Sequence, residues 1–296
     1  MKPNNYRINN EYLILEIAAK GAEMQSIKGA DGTEYLWQGD VAIWKDRAFN
    51  IFPYVARLYE ERYQYKGKEY QLPIHGFLKD CELAVTMLVD NKIKFTLEAD
   101  EQTKSMYPFD FVLSIMYELV GSKIVITMTV VNQGDETMYF GIGGHPGFIV
   151  PIAEIGKFED YYLEFADAQT PNRVGSNQDS LLLNGQEMPF ALKGQRVLPL
   201  THEIFDDDAI ILKDMSRTVT LKSDINNKAI TISYPDMKRL GLWHVPKVEA
   251  KYVCIEPWTS LQGRDGMIED IAKQEDLIRL EGKKEYRNEW SISIVE

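Results

Sequence analysis

The sequence predicts an all-β protein, a large antiparallel β-sandwich with few short helices. Three observations carry that prediction. Apolar residues alternate with period two over long stretches, polar turns separate those stretches, and no strand–helix–strand alternation recurs. The alternation is clearest where Phe111, Leu113, Ile115, Tyr117 and Leu119 share one face, as a strand with one buried side requires.

Taken along the chain, Tyr12 to Ala19 reads as the first strand. Leu83 to Val89 and Lys92 to Glu98 form a pair across Asp90-Asn91. The segment from Phe111 is followed by Lys123 to Val131, rich in Ile, Val and Thr, with Gly121-Ser122 between them as a hairpin turn. Ala209 to Lys213, Val219 to Ser223, Ala229 to Tyr234, Tyr252 to Ile255 and Glu289 to Val295 complete the expected strands. Gly175 to Gly185 is polar and reads as a long loop. Ile268 to Leu280 carries apolar residues at Ile268, Ile271, Leu277, Ile278 and Leu280, the pattern of a short, imperfect amphipathic helix. No repeat, low-complexity segment or linker interrupts the chain, so residues 1–296 are expected to form one domain.

Composition narrows the function classes. A net charge of −12 opposes phosphate backbones and anionic membrane surfaces, and leaves neutral small molecules open as ligands. Two cysteines, Cys81 and Cys254, make no disulfide framework; both lie in strand-like runs, where Cys serves as a small core residue. Met1-Lys2-Pro3-Asn4-Asn5 lacks the apolar stretch of a signal peptide, and no segment approaches the roughly 20 apolar residues that span a bilayer. A reduced, cytoplasmic location is therefore expected.

Candidate chemistry gathers at a few positions. His75, in Leu72-Pro73-Ile74-His75-Gly76-Phe77, and His145, in Gly143-Gly144-His145-Pro146-Gly147-Phe148, are flanked by Gly and Pro. Both are expected in shaped loops at strand ends, where function concentrates; loop histidines also serve purely structural hydrogen bonds. Glu256 follows the apolar run Tyr252-Val253-Cys254-Ile255 and precedes Pro257-Trp258. Burial there would raise its pKa, and the indole would offer an apolar wall; a solvated strand-end carboxylate is the plainer alternative. Asp206-Asp207-Asp208 stands before a strand, and Arg57 is a fork donor for hydroxyls or carboxylates. There is no GxGxxG or GxxxxGK[ST] loop, no GxSxG elbow, and no HExxH or CxxC pair. A metal held by His75, His145 and a carboxylate has no support from spacing.

Five ordered blocks make the chain resemble the aldose 1-epimerase (galactose mutarotase-like) family, most closely its bacterial LacX-like branch. They are Asn50 to Leu58, Tyr70 to Phe77, Gly143 to Phe148, Phe205 to Ile211 and Cys254 to Trp258. The resemblance implies a supersandwich fold and a hexose mutarotase that needs no cofactor or metal. It implies His145 as general acid and Glu256 as general base, with Arg57, His75 and Asp208 contacting the sugar and Asp207 as the alternative to Asp208. Trp258 and Trp243 would supply the apolar wall. Two departures bear on substrate identity. Lys79 stands where many relatives carry Arg, and Thr259-Ser260-Leu261-Gln262-Gly263 alters the loop after Trp258. A carbohydrate-binding protein without turnover is the alternative function. A glycoside hydrolase would need two facing carboxylates about 5–9.5 Å apart, which Asp208 and Glu256 would supply only by accident.

Overall fold

The computed structural model describes residues 5–296, so the leader reading of Met1 to Asn4 lies outside them. Two large sheets dominate, and every pairing within them is antiparallel. The nine-stranded sheet runs in the order Val197–Pro199, Tyr161–Phe165, Thr218–Ser223, Ala229–Ser233, Glu285–Val295, Lys123–Asn132, Phe111–Val120, Lys92–Glu98, Ala84–Val89. The seven-stranded sheet runs Leu183–Pro189, Asn172–Ser176, Ile210–Lys213, Arg239–Trp243, Tyr252–Trp258, Gly143–Ile149, Ala48–Ile51. Among the described residues no helix is long and apolar enough to cross a membrane.

The period-two pattern sets the register. Val120 pairs with Lys123, so Gly121-Ser122 is a two-residue turn, with Gly121 at φ +59°. Val89 pairs with Lys92 across Asp90-Asn91. Inward residues of both sheets then meet in one buried cluster: Leu113, Ile115, Ile126 and Met128 from the larger sheet, Phe148, Leu212, Leu240 and Val253 from the smaller. Residues of the smaller sheet that alternate with these point the other way, and that outer face carries the site.

Three local expectations are corrected. Ile268 to Leu280 forms no helix. Glu269 and Ile271 exchange backbone hydrogen bonds with Gln64, and Ile278–Leu280 pairs with Met138–Phe140, so partners elsewhere in the chain claim the apolar residues. The one α-helix among the described residues, Glu101–Met106, is capped reciprocally by Asp100 and Thr103, a short local signal. Gly175 and Gly185 lie in the paired strands Asn172–Ser176 and Leu183–Pro189, which shortens the loop to residues 177–182. Cys81 follows the 3₁₀ turn Leu78–Asp80 rather than lying in a strand, whereas Cys254 is a buried strand residue.

Candidate active site

His145 and Glu256 face each other across two adjacent strands, not from loops. The pairs Gly143–Trp258 and Gly147–Cys254 set His145 opposite Glu256, with both on the outer face. Expecting His145 in a loop was wrong because Gly143–Ile149 stays extended through its glycines and Pro146. Glu256 lies within Tyr252–Trp258 rather than at its end, and that strand is buried on both faces, which hid its alternation. The glycines answer a packing need. A Cβ on Gly143 would lie 2.7 Å from the Trp258 ring, and one on Gly147 would lie 2.7 Å from the Trp44 ring. Two indoles therefore fit on either side of His145.

These side chains line a cleft of about 250 Å³. Of the residues singled out from sequence, His145, Glu256, Arg57, His75, Asp208, Trp258 and Trp243 all line it, and so does Asp207. Asp208 Oδ1 accepts a 2.9 Å hydrogen bond from Trp243 Nε1, so the wall and the acidic cluster hold each other. Asp206 instead accepts from the Lys247 backbone N–H. His75 Nδ1 accepts the Ala56 N–H at 3.2 Å, which leaves the neutral ring's proton on Nε2. His75, Ala56 and Asp208 have φ of +64°, +54° and +70°, and such non-glycine left-handed residues cluster at functional sites.

Sequence reading missed Trp44, Phe49, Asp46 and Gln262, which also line the cleft. The His145 ring sits 4.5 Å from the Phe49 ring and 5.3 Å from the Trp44 ring, centroid to centroid. Phe49 directly precedes the first sequence block, and that is the only local signal it had. Trp44 lies in irregular backbone and had none.

Electrostatics at the pair follow from burial. His145 Nε2 approaches Glu256 Oε2 to 3.0 Å, off the line of a hydrogen bond, and Glu256 Oε2 and His145 Nδ1 have no protein partner. Burial pushes the Glu256 carboxyl well above its ordinary 4.5, and the Asp208 charge adds to the shift. Burial also lowers His145 from 6.5 to about 3, with Lys79 adding to it. His75 is lowered well below its ordinary value by burial, then by His145, Lys79 and Arg57. Burial thus favours the protonated carboxyl at Glu256 and the neutral imidazole at His145.

Linkage turns these shifts into a stability profile. Above pH 4.5 the unfolded chain releases the Glu256 proton that the folded site keeps, so stability falls as pH rises toward the raised pKa. Below pH 6.5 the unfolded chain protonates His145 while the folded ring stays neutral to about 3, so stability also falls as pH drops. The two slopes oppose each other between 4.5 and 6.5. Glu256→Gln is expected to flatten the decline above about pH 6.5 in urea unfolding and to keep the acid limb. An unchanged decline in that window would contradict the assignment.

The turn behind His75 is equally specific. Gly76 has φ +71°, and a Cβ there would lie 2.2 Å from the Phe52 carbonyl oxygen. Gly76→Ala is expected to destabilise the fold by about 2–4 kcal/mol, because left-handed strain and a backbone clash add. A wild-type urea midpoint would refute that account.

Comparison with known proteins agrees with this geometry. The family model described as aldose 1-epimerase matches residues 4–268. The chain is 31% identical over 261 residues to the plasmid-borne protein LacX of Lactococcus lactis subsp. lactis, covering 86% of this chain and 87% of that one. It superposes on a galactose mutarotase related enzyme from Lactobacillus acidophilus with a TM-score of 0.93 and 32% identity, covering 99% of this chain and 97% of that one. A galactose mutarotase-like protein from Lactobacillus casei gives 0.92 and 26%, covering 98% and 100%.

Proposed function

The chain belongs to the aldose 1-epimerase family, and on that premise we propose that it interconverts the α and β anomers of a hexose by opening and reclosing the hemiacetal ring. The observation that carries the reading is the cross-strand pair, one imidazole and one carboxyl, buried together 3.0 Å apart in a cleft.

Ring opening removes a proton from the anomeric hydroxyl and adds one to the ring oxygen as the C1–O5 bond breaks. Rotation about C1–C2 and closure return both protons, so two groups that share one proton suffice and no net proton is consumed. Moving the proton of the resting pair from Glu256 to His145 creates the carboxylate that takes the anomeric proton and the imidazolium that protonates the ring oxygen. Hydrogen bonds from the bound sugar's hydroxyls stabilise that charge separation. Groups whose environments push their pKa values apart are suited to such acid and base roles.

The remaining residues bind and orient. Arg57 and the Nε2–H of His75 donate to sugar oxygens, and Asp208, held by Trp243, accepts hydroxyl protons. Trp44, Trp243 and Trp258 present apolar faces to the C–H surface of the ring. The test is direct: a freshly dissolved pure anomer is followed by polarimetry with and without the protein. Catalysed equilibration supports the reading, and a rate equal to the buffer's across a panel of hexoses defeats it.

A further inference from the structure

A second cavity of about 600 Å³ adjoins the cleft of about 250 Å³ and shares Gln262 with it. We infer that it is a second saccharide subsite, so that the preferred substrate is the reducing end of a neutral disaccharide or longer oligosaccharide. The inference rests on the ring-opening reading above, with the reducing sugar at His145 and Glu256 and the next unit beyond Gln262.

Continuity is the first support. One hairpin, Asn172–Ser176 with Leu183–Pro189, serves both spaces: Ser176 lines the first, Val174 and Leu183 the second. Gln262 stands at the boundary of the two spaces and donates from Nε2 to Ser176 Oγ at 3.0 Å. Gln262 is 4% exposed, yet its Oε1 has no protein partner. A buried acceptor without a donor is costly, and a sugar hydroxyl crossing between the cavities would satisfy it.

Lining chemistry is the second. Asn184, Gln186 and Gln274 offer amides beside the apolar Leu261, Met267 and the buried Tyr54. Amides both donate and accept, as hydroxyls do, and apolar side chains suit the C–H face of a sugar ring. Charge selects against anionic groups. Glu187, Asp265, Glu269, Glu275 and Asp276 line this cavity with Arg264, which lies 3.6 Å from Glu269; Lys213 and Arg239 pair with Glu187 and Asp276 from behind, and the lining stays net acidic. A phosphate or carboxylate on the second unit would meet repulsion. The second cavity is more than twice the first in volume, which leaves room for a further ring.

The experiment compares catalysed anomer exchange, by NMR, for glucose and galactose against maltose, cellobiose and lactose. At least one disaccharide is expected to exceed its reducing-end monosaccharide roughly tenfold in kcat/KM, the size of one or two added hydrogen bonds. Gln186→Ala, at an exposed strand position, and Gln274→Ala are expected to erase that advantage and leave the monosaccharide rate unchanged. Equal kcat/KM for mono- and disaccharides, or variants that lower both alike, would overturn the subsite. If the wild-type protein accelerates none of these sugars, the ring-opening reading fails instead. Calorimetry with the same disaccharides then decides the subsite: binding weakened by Gln186→Ala supports it, and no binding overturns it.

Discussion

Glu256→Gln is expected to lower the catalysed anomerisation rate by about 10²–10⁴ while leaving the protein folded. The folding part follows from burial. Because burial favours the neutral acid at Glu256, an amide of the same shape replaces it without uncovering a charge. The rate part follows from chemistry, since an amide neither takes the anomeric proton nor returns it. Polarimetry on a pure anomer, with circular dichroism and urea unfolding as the controls, separates the two. Wild-type turnover in Glu256→Gln would remove Glu256 from the mechanism.

His145→Ala is expected to cause a loss of similar size, with one additional signature. The imidazole packs against the Phe49 and Trp44 rings, 4.5 and 5.3 Å away. Its removal leaves an aromatic-walled space beside Glu256 that fits free imidazole. Added imidazole should therefore restore part of the rate, with saturation, and should do nothing for Glu256→Gln. The double variant should be no slower than either single one, since both groups serve the same proton exchange. A full additive loss, or a His145→Ala variant at wild-type rate, would break the pair into unrelated residues. A structural role alone predicts no rescue by imidazole.

Much of the fold was legible because its signal is local. The two hairpins at Asp90-Asn91 and Gly121-Ser122 needed only alternation and a turn. The segment 268–280 failed for the opposite reason: its apolar spacing looks helical, but Gln64 and Met138–Phe140 supply hydrogen-bond partners that no local pattern reveals. The strands around His145 and Glu256 were harder still. Tyr252–Trp258 is buried on both faces, so it shows no alternation, and the glycines beside His145 signify indole packing rather than a loop.

By itself the sequence determined the antiparallel architecture, the family likeness and a set of candidate side chains, because strand period, turn residues and ordered motifs are properties of short segments. The tertiary structure decided what those side chains can do. Only the pairing of residues 143–149 with 252–258 sets His145 opposite Glu256, and only burial in that sheet shifts both toward their neutral forms. Trp44 and Phe49 joined the site the same way, from segments without a functional pattern of their own. Protonation and proximity depend on which distant strands exclude water together, and that is a property of the assembled sheets rather than of any one segment.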